Sequence, residues 1–69
     1  MKSYYDLQQF LKRFGIIIYM GDRLVDLEMM EEEFKELYQG KLIDVKEFQE
    51  ALIVIRQEAL KEKQLKKQK

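Results

Sequence analysis

The chain has 69 residues, enough for one small domain, and a domain of this size buries only about 60% of the surface that its unfolded chain exposes. It contains no cysteine and no histidine, which excludes disulfide bonds and the usual zinc sites. No apolar run approaches the length of a membrane span, and the N-terminus lacks the apolar core of a signal peptide. We therefore expect a cytoplasmic protein.

The charges are balanced in total but segregated along the chain. Thirteen basic residues match thirteen acidic ones. Residues 1–21 carry +2 and residues 61–69 carry +4, whereas residues 22–40 carry −5 and residues 41–60 carry −1. This segregation concerns partners and solubility rather than the fold.

The first predicted helix covers residues 4–14. Ser3 and Asp6 have the spacing of a capping box, and Gly15 is the type of residue that closes a helix. The apolar face of this helix comprises Tyr4, Leu7, Phe10, Leu11 and Phe14. The opposite face, which is either solvated or a ligand contact with an aromatic ring beside a cation, carries Tyr5, Gln8 and Lys12.

Residues 15–21 are the least helical part of the chain. Three successive isoleucines lie between two glycines and show no helical period. A lone strand would have no pairing partner, so we predict an apolar connection whose isoleucines cover the end of the helices. The glycines match no phosphate-binding motif and are predicted to punctuate helices.

The second predicted helix, residues 22–39, is the strongest in the chain, with Gly21 or Asp22 as its cap. Its predicted core stripe comprises Leu24, Leu27, Met30, Phe34, Leu37 and Tyr38. Arg23 falls on the same side. We predict that it extends its stem along the apolar surface and pairs with Asp26 or with another carboxylate such as Asp6, the alternative being a functional anion contact.

The opposite face of this helix combines apolar and acidic residues. Val25 and Met29 lie one turn apart there and need a cover, either the 16–18 connection or a second molecule. A ridge of glutamates, Glu28, Glu32 and Glu36, runs along the same helix, beside a favourable pair of Glu31 with Lys35. The ridge is a solvated face or an acidic partner surface. A specific metal is not expected, because di-metal bundle sites use inward-facing Glu-x-x-His sets.

The third predicted helix covers residues 44–61. Asp44 and Glu47 form a second capping box, with Ile43 and Phe48 at the positions of a hydrophobic staple. The predicted seam comprises Val45, Phe48, Leu52, Ile55 and Ala59; Ile53 and Leu60 widen it, and Val54 is left outside. Phe34 is predicted to lie between Phe10 or Phe14 of the first helix and Leu52 or Ile55 of the third.

From Lys61 onward the chain has no apolar face. We predict that residues 61–69 fray into a charged tail, either solvated or acting as an arm for nucleic acid or a partner. The predicted fold is therefore all-α: a small three-helix bundle over residues 1–60, followed by a frayed, lysine-rich, disordered tail over residues 61–69.

Several runs of the sequence resemble one family. They are Tyr5-Asp6-Leu7-Gln8-Gln9, Phe14-Gly15 to Ile18-Tyr19, Gly21-Asp22-Arg23, Asp26-Leu27-Glu28, Met30 and Glu36-Leu37-Tyr38. Together they resemble the YqgQ-like family of small bacterial proteins over about residues 4–56. The resemblance implies a cytosolic three-helix bundle without an established activity, for which single-stranded nucleic acid is a suggested ligand, and it carries over no catalytic residues. The lysine tail lies outside it.

The residue types present argue against catalysis. Without histidine, cysteine or threonine, and with Ser3 as the sole serine, no pair of nucleophile and base can be assembled. We expect no catalytic residue, no cofactor, no metal and no small-molecule substrate. The favoured interpretation is a non-catalytic helical interaction module that binds an unknown protein partner or a second copy of itself, with Val25, Met29 and Val54 as the candidate contact residues.

The alternative is a binder of single-stranded nucleic acid. Basic side chains neutralise phosphates, and each base stacked on an aromatic ring contributes about 1 to 3 kcal/mol. The candidate contacts are Tyr5, Lys12, Arg13, Tyr19 and Arg23, which must then share one continuous surface. The zero net charge and the acidic central helix weigh against this alternative.

Overall fold

A computed structural model describes residues 1–67, which form three packed α-helices. Helix α1 is Tyr4–Lys12, α2 is Arg23–Gln39 and α3 is Val45–Lys67. Among the described residues there is no strand, so the predicted all-α class is confirmed. None of the three helices, as far as residue 67, combines the length and the apolarity needed to cross a membrane.

The helix starts are held by the predicted caps. The Ser3 hydroxyl accepts a hydrogen bond of 3.3 Å from the Asp6 N–H, and Asp22 accepts from two N–H groups of the first turn of α2. Asp44 and Glu47 form a reciprocal pair, each N–H donating to the other carboxylate at 3.1 and 2.7 Å. The capping signals were confirmed because each depends on residues only two or three positions apart.

Helix α1 ends before the predicted residue 14. Its last helical residue is Lys12, and a tight turn leads to Gly15, whose φ of 76° is left-handed. The Gly15 N–H donates to the Lys12 carbonyl at 3.0 Å, and the Ile16 N–H donates to the Leu11 carbonyl at 3.1 Å. This is the Schellman arrangement, with glycine at the position that needs it.

Helix α2 ends in the same arrangement, but its left-handed position falls on the residue after the glycine rather than on the glycine itself. The Lys41 N–H donates to the Tyr38 carbonyl at 3.0 Å, and the Leu42 N–H donates to the Leu37 carbonyl at 2.9 Å. Gly40 has a φ of −80°, whereas Lys41 has a φ of 61°. The left-handed position is therefore occupied by a lysine, although a glycine immediately precedes it.

The core forms around α2 largely as predicted. Its stripe residues Leu27, Met30, Phe34 and Leu37 are buried, and Leu24 is half-buried. The Phe34 side chain has no exposed surface, its ring lies 5.5 Å from that of Phe10, and Ile55 belongs to the same buried cluster. Tyr38 is the exception, since it is 39% exposed and stacks on Phe48 with ring centroids 4.6 Å apart.

Helix α3 is rotated about its axis relative to the prediction. Val54, which was predicted to lie outside, is buried with Ala51 and Ile55. Val45, predicted for the seam, is exposed. Ile53 and Leu60, predicted to widen the seam, are exposed as well. Apolar residues occur on both sides of this helix, and the small Ala51 lets the Val54 side approach the other helices closely.

Helix α3 also continues beyond its predicted end at Lys61. Residues 61–67 are lysine, glutamate, glutamine and leucine, all good helix formers, and the Lys61 ammonium contacts the Glu58 carboxylate at 3.1 Å. The third helix therefore ends at Lys67 rather than at the predicted residue 61. The rest of the predicted tail, residues 68 and 69, lies outside the described part of the chain.

The 15–21 connection covers one end of the helices only in part. Ile18 is buried and Ile16 is half-buried against the core, but Ile17 is 77% exposed. Gly21, with a φ of 84°, precedes Asp22 and turns the chain into α2. The glycines punctuate the helices as predicted.

Candidate interaction surfaces

An open groove of about 800 Å³ lies where the start of α1, the end of the 15–21 connection and the C-terminal part of α3 meet. Its lining includes the candidate residues Tyr5, Tyr19 and Arg23. The Tyr5 and Tyr19 side chains are 64% and 80% exposed. We call this surface the tyrosine groove.

The base of the tyrosine groove is a buried hydrogen-bond network. Asp26 is only 3% exposed and accepts from the Tyr4 hydroxyl at 2.9 Å and from the Met20 N–H at 2.7 Å. The predicted ion pair of Arg23 with Asp26 or Asp6 does not occur in the described structure. The guanidinium carbon of Arg23 instead lies 4.1 Å from the centroid of the Tyr4 ring.

The surroundings of Tyr4 keep its hydroxyl protonated. Burial, the hydrogen bond to Asp26 and the charge of that carboxylate together raise the pKa of Tyr4 to about 12, while the Arg23 guanidinium opposes the shift. At neutral pH the Tyr4 hydroxyl is therefore protonated and donates its hydrogen bond to the buried Asp26 carboxylate.

The structure places three of the five candidate nucleic-acid residues in the tyrosine groove, a fourth beside it and the fifth elsewhere. Lys12 lines a neighbouring 150 Å³ cavity beside Tyr19. Arg13 lies over the Phe10 ring at 5.3 Å, in a depression that it shares with residues near the N-terminus. A surface built from the tyrosine groove therefore extends to Lys12, but Arg13 belongs to a different depression.

The tyrosine groove is not a basic surface. Its lining includes the cations Arg23 and Lys61 and the carboxylates of Asp26, Glu58 and Glu62. Lys61 is paired with Glu58 at 3.1 Å, and Arg23 lies over the Tyr4 ring, so both cations already have contacts within the chain. The local charge does not favour a phosphate backbone.

The second surface is the outer face of α2, defined by Val25, Glu28, Met29, Glu32 and Glu36. Val25 and Met29 are 39% and 40% exposed, so the 16–18 connection does not fully cover them. The three glutamates are exposed. The predicted pair of Glu31 with Lys35 is present at 3.3 Å, and Lys35 also lies 3.7 Å from Glu32.

The outer face of α2 has no metal-binding geometry. Within residues 1–67, no three carboxylates are grouped so that they could hold an ion. The face therefore offers two partly exposed apolar side chains among separate negative charges. Such a surface suits a partner with apolar and basic residues.

A third surface, the outer face of α3, is defined by Val45, Ile53, Arg56, Leu60 and Lys63. Val45, Ile53 and Leu60 are 51%, 56% and 57% exposed, and both cations are exposed. The sequence pattern did not predict this face, because these apolar residues were assigned to the core seam of α3. The signal was present in the spacing of three and four residues between Ile53, Arg56, Leu60 and Lys63.

Comparison with known proteins places the chain in a family. Residues 1–61 match the YqgQ-like family model. The chain is similar to a protein of Bacillus subtilis (strain 168) described as "Uncharacterized protein YqgQ", with 45% identity over 58 residues, which cover 84% of this chain and 82% of that protein. These matches confirm the resemblance found in the sequence motifs. The chain belongs to the YqgQ-like family.

Proposed function

We propose that the chain is a non-catalytic interaction module that binds a protein partner through the outer face of α2. The observation that supports this proposal is the exposure of Val25 and Met29, at 39% and 40%, on the side of α2 that faces away from the core. Apolar side chains on the outer side of a helix contribute little to a small domain in isolation. They stabilise a complex when a partner removes them from water.

The surrounding charges define the chemistry of the partner. Glu28, Glu32 and Glu36 flank the two apolar side chains and are exposed. A partner surface with an apolar centre and basic residues at its rim would be attracted, while an acidic surface would be repelled. The proposed activity is therefore recognition of a protein surface.

Affinity capture tests this proposal. The immobilised chain is exposed to a nuclease-treated lysate of its source cells, in parallel with the variant Val25→Lys with Met29→Glu. The matched control is Leu42→Lys with Ile17→Glu, which places the same charges at two apolar residues that are 64% and 77% exposed elsewhere. We expect the α2 variant to lose the captured protein and the control to retain it. Equal capture by both variants would contradict the proposal.

Binding of single-stranded nucleic acid is the second candidate function, and one observation favours it. Tyr5, Tyr19 and Arg23 line the same groove, with the two tyrosine rings largely exposed for stacking. The carboxylates of Glu58 and Glu62 in the same lining oppose it. This balance makes it the weaker candidate.

Titration of a short labelled single strand at several salt concentrations tests the second candidate. Tyr19→Ala should lower the affinity with little change in the salt slope, whereas Arg23→Ala should flatten that slope by about one unit. Arg13→Ala is the matched control, since Arg13 lies in another depression. Deletion of residues 64–69 reports the contribution of the C-terminal lysines. If that deletion alone abolishes binding, the tyrosine groove is not a nucleic-acid site.

A further inference from the structure

We infer that the partner of the α2 outer face is the α3 outer face of a second copy of the chain. This inference rests on the proposed function and names the partner of the same surface. Both faces belong to helices of the described chain and point away from the core. On each of them, exposed or partly exposed aliphatic or methionine side chains follow a helical stripe.

The α3 outer face has the chemistry expected of the partner. Ile53 and Leu60 are exposed and lie two turns apart, about 10.5 Å along the axis at 1.5 Å per residue. Arg56 lies between them and Lys63 follows, at the same spacing of three and four. Apolar and basic side chains therefore alternate along the stripe.

The glutamates of α3 do not lie on the α3 outer face. Its described glutamates, Glu47, Glu50, Glu58 and Glu62, are all half-buried, whereas Arg56 and Lys63 are exposed. Glu58 is also paired with Lys61, and Glu50 with the N-terminal amine. The outer side of α3 thus presents positive charge without carboxylates from the same helix to neutralise it.

The charges favour contact of an α2 outer face with an α3 outer face over contact between two copies of the same face. Two α2 outer faces would bring the ridges of Glu28, Glu32 and Glu36 together, and two α3 outer faces would oppose Arg56 and Lys63 to their copies. Contact of α2 with α3 instead joins Val25 and Met29 to Ile53 and Leu60, with opposite charges around them. In such a pair, one copy retains a free α3 outer face and the other a free α2 outer face for a further neighbour.

Charge reversal measured by sedimentation tests the inference. The α2 variant is Glu32→Lys with Glu36→Lys, and the α3 variant is Arg56→Glu with Lys63→Glu. At concentrations reaching the millimolar range we expect the wild type to self-associate, and to do so less as salt rises. Each variant alone should associate at least tenfold more weakly, because both of its outer faces then carry the same sign.

Mixing the two variants provides the positive test. The basic faces of one variant meet the acidic faces of the other, so the mixture should recover association that neither variant shows alone. The matched control, Lys2→Glu with Lys41→Glu, changes the net charge as the α3 variant does but at exposed residues outside both faces, and it should associate like the wild type. Circular dichroism verifies that every variant keeps its helix content.

The outcomes separate this inference from the function on which it rests. A wild type that stays monomeric at the highest concentration overturns the inference, as does a folded α2 or α3 variant that associates normally, or a mixture that stays monomeric. If another protein is nevertheless captured through Val25 and Met29, the proposed function stands with a different partner. If capture does not depend on Val25 and Met29 and the wild type stays monomeric, the proposed function fails too.

Discussion

Asp26 connects three parts of the molecule through a single buried side chain. Its carboxylate accepts from the Tyr4 hydroxyl of α1 and from the Met20 N–H of the connection, while the residue itself belongs to α2. The sequence pattern predicted an arginine partner for Asp26. It could not predict the tyrosine, because that contact joins residues 22 positions apart and depends on how α1 packs.

Removing the Asp26 carboxylate should destabilise the fold. Asp26→Ala leaves the Tyr4 hydroxyl and the Met20 N–H without their acceptor, and we expect a loss of about 3 kcal/mol, because unsatisfied buried partners of a charged group carry that cost. Asp26→Asn, which keeps an oxygen acceptor, should lose less than half as much. Urea denaturation followed by circular dichroism measures both. An Asp26→Ala variant as stable as the wild type would show that the network is dispensable.

Tyr4 should make the stability sensitive to alkaline pH. Its pKa is raised from 10.0 to about 12 in the folded chain, chiefly by burial and then by Asp26, so folding favours the protonated hydroxyl. This contribution is complete below pH 10 and is lost as the pH rises through about 12. The free energy of unfolding of the wild type should therefore fall more steeply over that range than that of Tyr4→Phe. Parallel slopes in denaturant titrations of the two proteins would contradict this assignment.

The helices differ in how far local sequence determines them. The N-terminal caps at Ser3, Asp22 and Asp44 were predicted correctly because their partners are two or three residues away. The orientation of α3 about its axis was not predicted correctly, because apolar residues occur around much of its circumference and several stripes satisfy the helical period. Packing against the other helices decides which of these stripes faces the core. Burial of Val54 leaves Ile53 and Leu60 outside.

The end of α2 offers a stabilising substitution. Lys41 holds a φ of 61° in the left-handed region, where a side chain costs about 1 kcal/mol that glycine avoids. Lys41→Gly should raise the free energy of unfolding by about 0.5 to 1 kcal/mol. This is less than the full strain relieved, because glycine also gains conformational freedom in the unfolded chain. The control is Gln57→Gly, at an exposed position in the middle of α3, which should destabilise by a similar amount. Thermal melts that move in the same direction for both variants would refute the backbone argument.

The packing of the whole molecule places much of its stability in one cluster. Residues of all three helices and Ile18 of the connection join in it, and Phe34 is its largest fully buried side chain. The period of α2 was enough to predict this burial, since its apolar residues follow one stripe. The outer faces of α2 and α3 carry apolar surface that the isolated fold does not bury, and the proposed contacts with another molecule would cover it.

Phe34→Ala tests the central position of that cluster. The side chain has no exposed surface and lies against Phe10 at 5.5 Å, so its truncation leaves a cavity that the surrounding helices fill only in part. We expect a loss of about 3 to 5 kcal/mol, comparable to the total stability of so small a domain, and therefore a largely unfolded protein at physiological temperature. Ile53→Ala is the matched control, because Ile53 is 56% exposed and its truncation should leave the melting temperature nearly unchanged. A cooperative melt of Phe34→Ala near the wild-type temperature would mean that the stripe of α2 does not hold the three helices together, whereas a large loss in Ile53→Ala would restore the orientation of α3 first predicted from its sequence.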